Sequence, residues 1–173
     1  KEIEQKDDWS FRRSKWFEHV GNECLNVMNN VGILDMTAFA KCRISGPGAK
    51  DFLDNLVSNK LPTKIGRVNL CHALNTRGGV HSEFTIAKES DESYYLVSAG
   101  AFQRLDHDWI KKWMPKDRSV FFENLTNSIG VLVVAGPQSR DVLSKISKAD
   151  FSNEKFPWLS SKKIDVGFAP TIA

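Results

Sequence analysis

Cysteine is scarce in this chain: Cys24, Cys42 and Cys71 are odd in number, far apart and form no C-x-x-C pair. That spacing offers neither a disulfide framework nor a thiolate zinc site, and it predicts a reducing compartment. The four histidines include no H-x-H or H-E-x-x-H pairing, so no metal is expected. Long hydrophobic runs are missing too. The longest, residues 129–135, is seven residues with a glycine inside it, far short of a bilayer span. The opening KEIEQKDD lacks the apolar core of a secretory signal, so the chain is expected to be neither inserted nor exported, with a cytoplasmic location. Charge of one sign is likewise absent: 24 Lys and Arg face 21 Asp and Glu, with no basic block to suit nucleic acid or a membrane surface. Neither a Walker loop, a G-x-G-x-x-G nor a G-x-S-x-G elbow occurs.

What is present suits one globular domain. The 173 residues are 41% hydrophobic and 26% charged, enough apolar material for a core. Residues 16–30 place Phe17, Val20, Cys24, Val27 and Met28 at three- and four-residue spacing, which predicts an amphipathic helix closing one side of that core. Residues 41–45 read as a strand, and Gly46-Pro47-Gly48 leads into a helix with Phe52, Leu53, Leu56 and Val57 on one face. Ninety residues later the pattern returns: 131–134 is β-branched, Gly136-Pro137 follows, and Val142, Leu143 and Ile146 share a helical face. ISGPGAKDFLDNL and VAGPQSRDVLSKI thus form an internal strand-GlyPro-helix repeat. Proline in a first helical turn sacrifices no bonded N–H, and the preceding glycine permits a sharp bend, so these turns have a structural reason without phosphate binding.

Between the copies, residues 67–75 and 80–88 read as strands joined through Thr-Arg-Gly-Gly, good hairpin chemistry. Residues 94–99 predict a further strand. Residues 101–114 predict a helix with Leu105, Trp109, Ile110 and Trp113 on its apolar face, and 120–124 another strand. The order predicts an α+β fold with a mostly antiparallel sheet covered by helices.

The residues that could carry chemistry are few. Alternation along 80–86 places Val80, Ser82, Phe84 and Ile86 on one face and His81, Glu83 and Thr85 on the other. Same-side neighbours lie roughly 6–7 Å apart, so His81 and Glu83 could reach one ligand; a solvated polar face is the ordinary alternative. The cysteines read as small buried hydrophobes. Arg12, Arg13 and Lys15 read as a solvated entry to the first helix. From residues alone, no reaction follows.

Five separated motifs then take on a family likeness. RRSKWFEHVGNE, VGILDMTAFAKCRISGPGAKDFLDNL, LNTRGGVHSEFTI, LVSAGAFQRLDHDWI and IGVLVVAGPQSRDVL resemble, in order and spacing, the folate-binding region of dimethylglycine and sarcosine dehydrogenases. That region is itself similar to the glycine-cleavage T-protein, an aminomethyltransferase. The resemblance covers nearly the whole chain and implies a T-protein N-terminal domain at 17–173 behind an arm at 1–16. It implies tetrahydrofolate as cofactor, capturing the carbon of an oxidised N-methyl group as 5,10-methylene-tetrahydrofolate. FAD would belong only to a flavin oxidoreductase domain, absent from this chain, in the same longer polypeptide or a partner subunit. In a eukaryote the compartment would be the mitochondrial matrix.

Carried over residue by residue, the family's pocket carboxylate corresponds to Glu83, which would hold the pterin nitrogens and accept a proton or stabilise positive charge. Phe39 corresponds to a Met lining the pterin pocket, Leu70 to a pocket Tyr, and Ala99 lies near a pocket Asn. Asp35 matches an Asp preceding Ser or Thr, for which turn capping at Thr37 and ligand contact both stand open. The family's second carboxylate segment, a Gly-Glu-Leu-Gly run, would follow Ala173, so the domain is expected to be incomplete at its C-terminal end. Two alternatives are a non-catalytic structural module of the same fold and a folate-dependent demethylase of another methyl donor.

Overall fold

The computed structural model describes residues 9–173; the first eight residues of the sequence-predicted arm lie outside the described residues. Five strands form the central sheet: β2 (Ala40–Ser45), β3 (Val68–Leu74), β4 (Val80–Ser90), β5 (Ser93–Ser98) and β6 (Phe121–Asn124), in the order β3-β4-β5-β2-β6. Every pairing is antiparallel. One face carries Cys42, Ile44, Cys71, Ala73, Phe84, Ile86, Tyr94 and Leu96, all buried. Helices α2 (Ala49–Leu56) and α3 (Gln103–Trp113) cover that face and contribute Phe52, Leu53 and Ile110 to one continuous core. Period-two alternation in the strands meets period-3.6 spacing in the helices, which is why the core is shared.

The Gly-Pro turns work as the sequence implied. Gly46 and Gly136 sit at φ +111° and +124°, a conformation that a side chain disfavours, and each turn opens directly into a helix. The first turn links β2 to α2. The second links β7 (Leu132–Ala135) to α4 (Ser139–Ile146), and β7 pairs only with β1 (Gly32–Asp35) among the described residues.

Three expectations need correction. Helix α1 (Phe17–Asn29) forms, but it buries no residue and does not close the core; its C-terminal end abuts Gly32 and Gly136 instead. In α3 the inward face is Asp106, His107 and Ile110, while Leu105 and Trp113 are about half exposed. The segment beginning at Ala101 opens as a short 3-10 turn (Gly100–Phe102), and the α-helix starts only at Gln103. Finally, β1 and the terminal hairpin of β8 (Lys163–Val166) with β9 (Ala169–Ile172) add strands beyond the predicted order, although a strand-like ending had been expected.

Candidate functional site

Among the described residues, helices α2 and α3 pack on the first face, and the polar residues of the second face follow from the registers. Leu70 lies opposite Thr85, Thr85 opposite Val97, and Val97 opposite Lys41. The neighbouring row begins His72–Glu83. Extending the β4–β5 and β5–β2 registers by two residues carries that row on to Ala99 and Phe39. Phe39, Glu83 and Ala99 all line one cavity of about 440 Å³ where β4 begins, β5 ends and β2 begins. Leu70, half exposed, stands on the same face one row away and is outside the lining.

A compact turn holds Phe39. Asp35 accepts a hydrogen bond from the Thr37 N–H at 2.9 Å, and hydrogen bonding by the Thr37 side chain, then by this N–H, holds its carboxyl below the ordinary range. The open alternatives for Asp35 thus meet a turn-capping geometry. Phe39 N–H donates to the Met36 carbonyl at 3.0 Å. Lys41 is fully buried, and its Nζ donates to the carbonyls of Thr37 at 2.7 Å and Phe39 at 2.9 Å. A buried ammonium needs such acceptors, so it pins the turn that presents the Phe39 ring.

Glu83 pairs with His72 across the β3–β4 ladder, Oε2 to Nε2 at 3.0 Å, and its side chain is 61% exposed. Oε1 remains unengaged among the described residues. His81 departs from the simple alternation. Ala73 pairs with Ser82 and Leu74 with Val80, so His81 is the extra residue of a β-bulge. It turns away from Glu83's face, stacks on Trp109 at 3.9 Å and meets Ser82 Oγ through Nδ1 at 2.8 Å. The bulge also leaves Val80 64% exposed instead of in the core. His81 and Glu83 nonetheless both border the cavity, one from each side of the strand.

Sequence reasoning missed Asp106. It is only 3% exposed, yet it borders this cavity, with Phe102 one helical turn before it. The signal was available: 103, 106, 107 and 110 make an i, i+3, i+4, i+7 stripe, passed over because its members are Gln, Asp, His and Ile. Nearby, burial and then the Asp106 charge push the Cys42 thiol up to about 12, so Cys42 is a buried thiol and not a ready nucleophile.

A pocket of this volume, with an aromatic ring, small residues and two carboxylates from different elements, suits a heterocycle carrying N–H groups. A model of the GCVT N-terminal domain matches residues 4–173. The chain belongs to this family. Mouse dimethylglycine dehydrogenase, mitochondrial, is 36% identical over 165 residues, covering 95% of this chain and 19% of its own length. The mouse pyruvate dehydrogenase phosphatase regulatory subunit, mitochondrial, is 31% identical over 162 residues, covering 92% of this chain and 18% of its own. The crystal structure of the glycine cleavage system aminomethyltransferase T from Bartonella henselae superposes with a TM-score of 0.73 at 19% identity, over 83% of this chain and 38% of that one. That likeness establishes the α+β GCVT fold. This GCVT domain therefore spans about a fifth of these two relatives and 38% of the Thermoanaerobacter aminomethyltransferase it also matches. Enzymes stand among them, consistent with its being part of an aminomethyltransferase-like or dehydrogenase enzyme.

Proposed function

We propose that this GCVT domain, taken as 17–173, binds tetrahydrofolate in the cavity at the start of β4 and serves one-carbon capture beside a flavin-dependent oxidoreductase. The observation that carries the reading is the position of Glu83, which borders a cavity shared with the Phe39 ring and with Ala99. Tetrahydrofolate, when bound, supplies the nucleophilic nitrogen for the carbon of an oxidised N-methyl group. Phe39 gives the ring system an apolar face, and Lys41 fixes the turn that holds Phe39 there. Glu83 offers an ionised oxygen to the ligand's nitrogens, while its other oxygen is oriented by His72. Leu70 extends the apolar floor of the same sheet face. The natural compartment on this reading is the cytoplasm, or the mitochondrial matrix in a eukaryote.

Anaerobic calorimetric titration with tetrahydrofolate tests this reading, repeated with Glu83→Ala. Micromolar binding is expected. Joined to its oxidoreductase, the variant should lose carbon capture more than affinity, because the carboxylate matters most as bonds change. Undiminished capture in Glu83→Ala would remove Glu83 from that role. A second reading, a structural module without folate chemistry, gains support from the regulatory-subunit relative. On that reading the wild type binds no tetrahydrofolate, and Glu83→Ala shifts stability by only about 0.5 kcal/mol either way.

A further inference from the structure

Asp106 is a buried carboxylate in an unusual position. It projects from the inward face of α3, is 97% buried, and accepts no hydrogen bond from any described residue. Buried carboxylates are ordinarily paired, because an uncompensated one is costly to desolvate. His107, next to it on α3, keeps Nε2 buried without a hydrogen-bond partner, whereas other polar groups nearby are engaged. His81 and Ser82 bond each other, Glu83 bonds His72, and the Lys41 ammonium is taken up by two carbonyls. It borders the cavity together with Glu83, Phe39 and Phe102.

We propose that Asp106 is a ligand-binding residue of this cavity, reserved as an acceptor for the N–H groups of a bound heterocycle. The proposal rests on the tetrahydrofolate reading for the identity of that heterocycle. The two carboxylates come from opposite sides. Glu83 stands on the outer face of β4, exposed and oriented by His72, and Asp106 reaches the cavity from the helix layer, buried and without a hydrogen bond from a described residue. Selectivity follows from that pairing: a flat apolar ring with N–H donors at two edges satisfies both, and a ring bearing only acceptors leaves a buried carboxylate without a partner.

The test is Asp106→Asn, which keeps the shape and removes the charge, with Asp108→Asn as a control on the exposed side of α3. Two quantities are read on the full chain: the affinity for tetrahydrofolate by anaerobic calorimetry and the ligand-free thermal midpoint. Asp106→Asn should weaken binding roughly tenfold to a hundredfold, the loss typical of a hydrogen bond to a charged group. Relief of the unpaired charge should raise its ligand-free midpoint by roughly 2–4 °C. Asp108→Asn should bind as the wild type does. Unchanged affinity in Asp106→Asn would overturn the ligand contact while leaving tetrahydrofolate binding standing. A lowered ligand-free midpoint would overturn the proposal as well, since it would reveal a structural partner. If the wild type binds no tetrahydrofolate but the midpoint rises, the tetrahydrofolate reading fails and the reserved acceptor is supported for another N–H-bearing ring.

Discussion

Arg43 shows how the second face of the sheet stays polar yet ordered. Its Nε and Nη2 donate to the two oxygens of Glu89 at 2.7 and 3.3 Å, its Nη1 donates to Glu123 at 2.6 Å, and Ser93 Oγ donates to Glu89 at 2.9 Å. For Glu89, burial is the largest single influence and raises its carboxyl. Hydrogen bonds from Arg43 and Ser93, with the attraction of Arg43, together outweigh it and leave the carboxyl below its ordinary 4.5. The sign of the pH effect follows. A depressed carboxyl contributes stability above its unfolded value, and the contribution is lost as pH falls through the folded value. Glu89→Gln should therefore lower stability near neutrality by about 0.5–1 kcal/mol and flatten the loss on acidification. Urea midpoints followed from neutral pH into the acid range check this, and parallel curves for both proteins would contradict it. At this scale the sequence was partly legible. Glu83, Phe39 and Ala99 came from motif likeness and share one cavity, whereas Leu70 falls a row away. Asp106 sat on a legible i, i+3, i+4, i+7 stripe but was passed over, because a carboxylate on a helix reads as solvated until tertiary packing decides otherwise.

Elements were more legible than residues, and the misses share a cause. Strands β2 to β5 and helix α2 follow from periodicity and turn chemistry, because each of them buries a patterned face; β6 and α3 form where expected, but β6 buries no residue. Two local irregularities escaped that logic. The bulge at His81 shifts the phase of β4 by one residue, and no composition signal marks it. The 3-10 turn of Gly100–Phe102 precedes α3, in which Asp106 and not Leu105 is buried. Gly100 in that turn has a further duty, since a methyl group there would overlap the Ala38 carbonyl oxygen, beside the turn that carries Phe39. Gly100→Ala should thus destabilise by about 1–3 kcal/mol, as overpacking does, and should also weaken tetrahydrofolate binding by displacing Phe39. Chemical denaturation with parallel ligand titration reads both effects. A midpoint equal to the wild type's would mean that the Ala38 carbonyl yields freely.

Across the whole molecule, the internal repeat has been put to two different uses. In the first copy β2 has a neighbour on each edge and α2 packs into the core, with Ala49, Phe52, Leu53 and Leu56 buried. In the second copy, among the described residues, β7 is hydrogen-bonded on one side only and α4 buries none of its residues. The two sequences are nearly interchangeable in pattern, so nothing in either copy alone tells which one is buried; that depends on the number of strands assembled around it. The energetic consequence is a large asymmetry at matched positions. Leu53, fully buried, corresponds to Leu143, only partly buried. Leu53→Ala should cost about 2–5 kcal/mol through lost burial and a cavity. Leu143→Ala should cost only about 1 kcal/mol, in keeping with its smaller buried area. Equilibrium unfolding of the two variants under identical conditions decides the matter. Equal losses would mean that the second copy is packed as tightly in solution as the first, with its apolar face covered by contacts that the described residues do not supply.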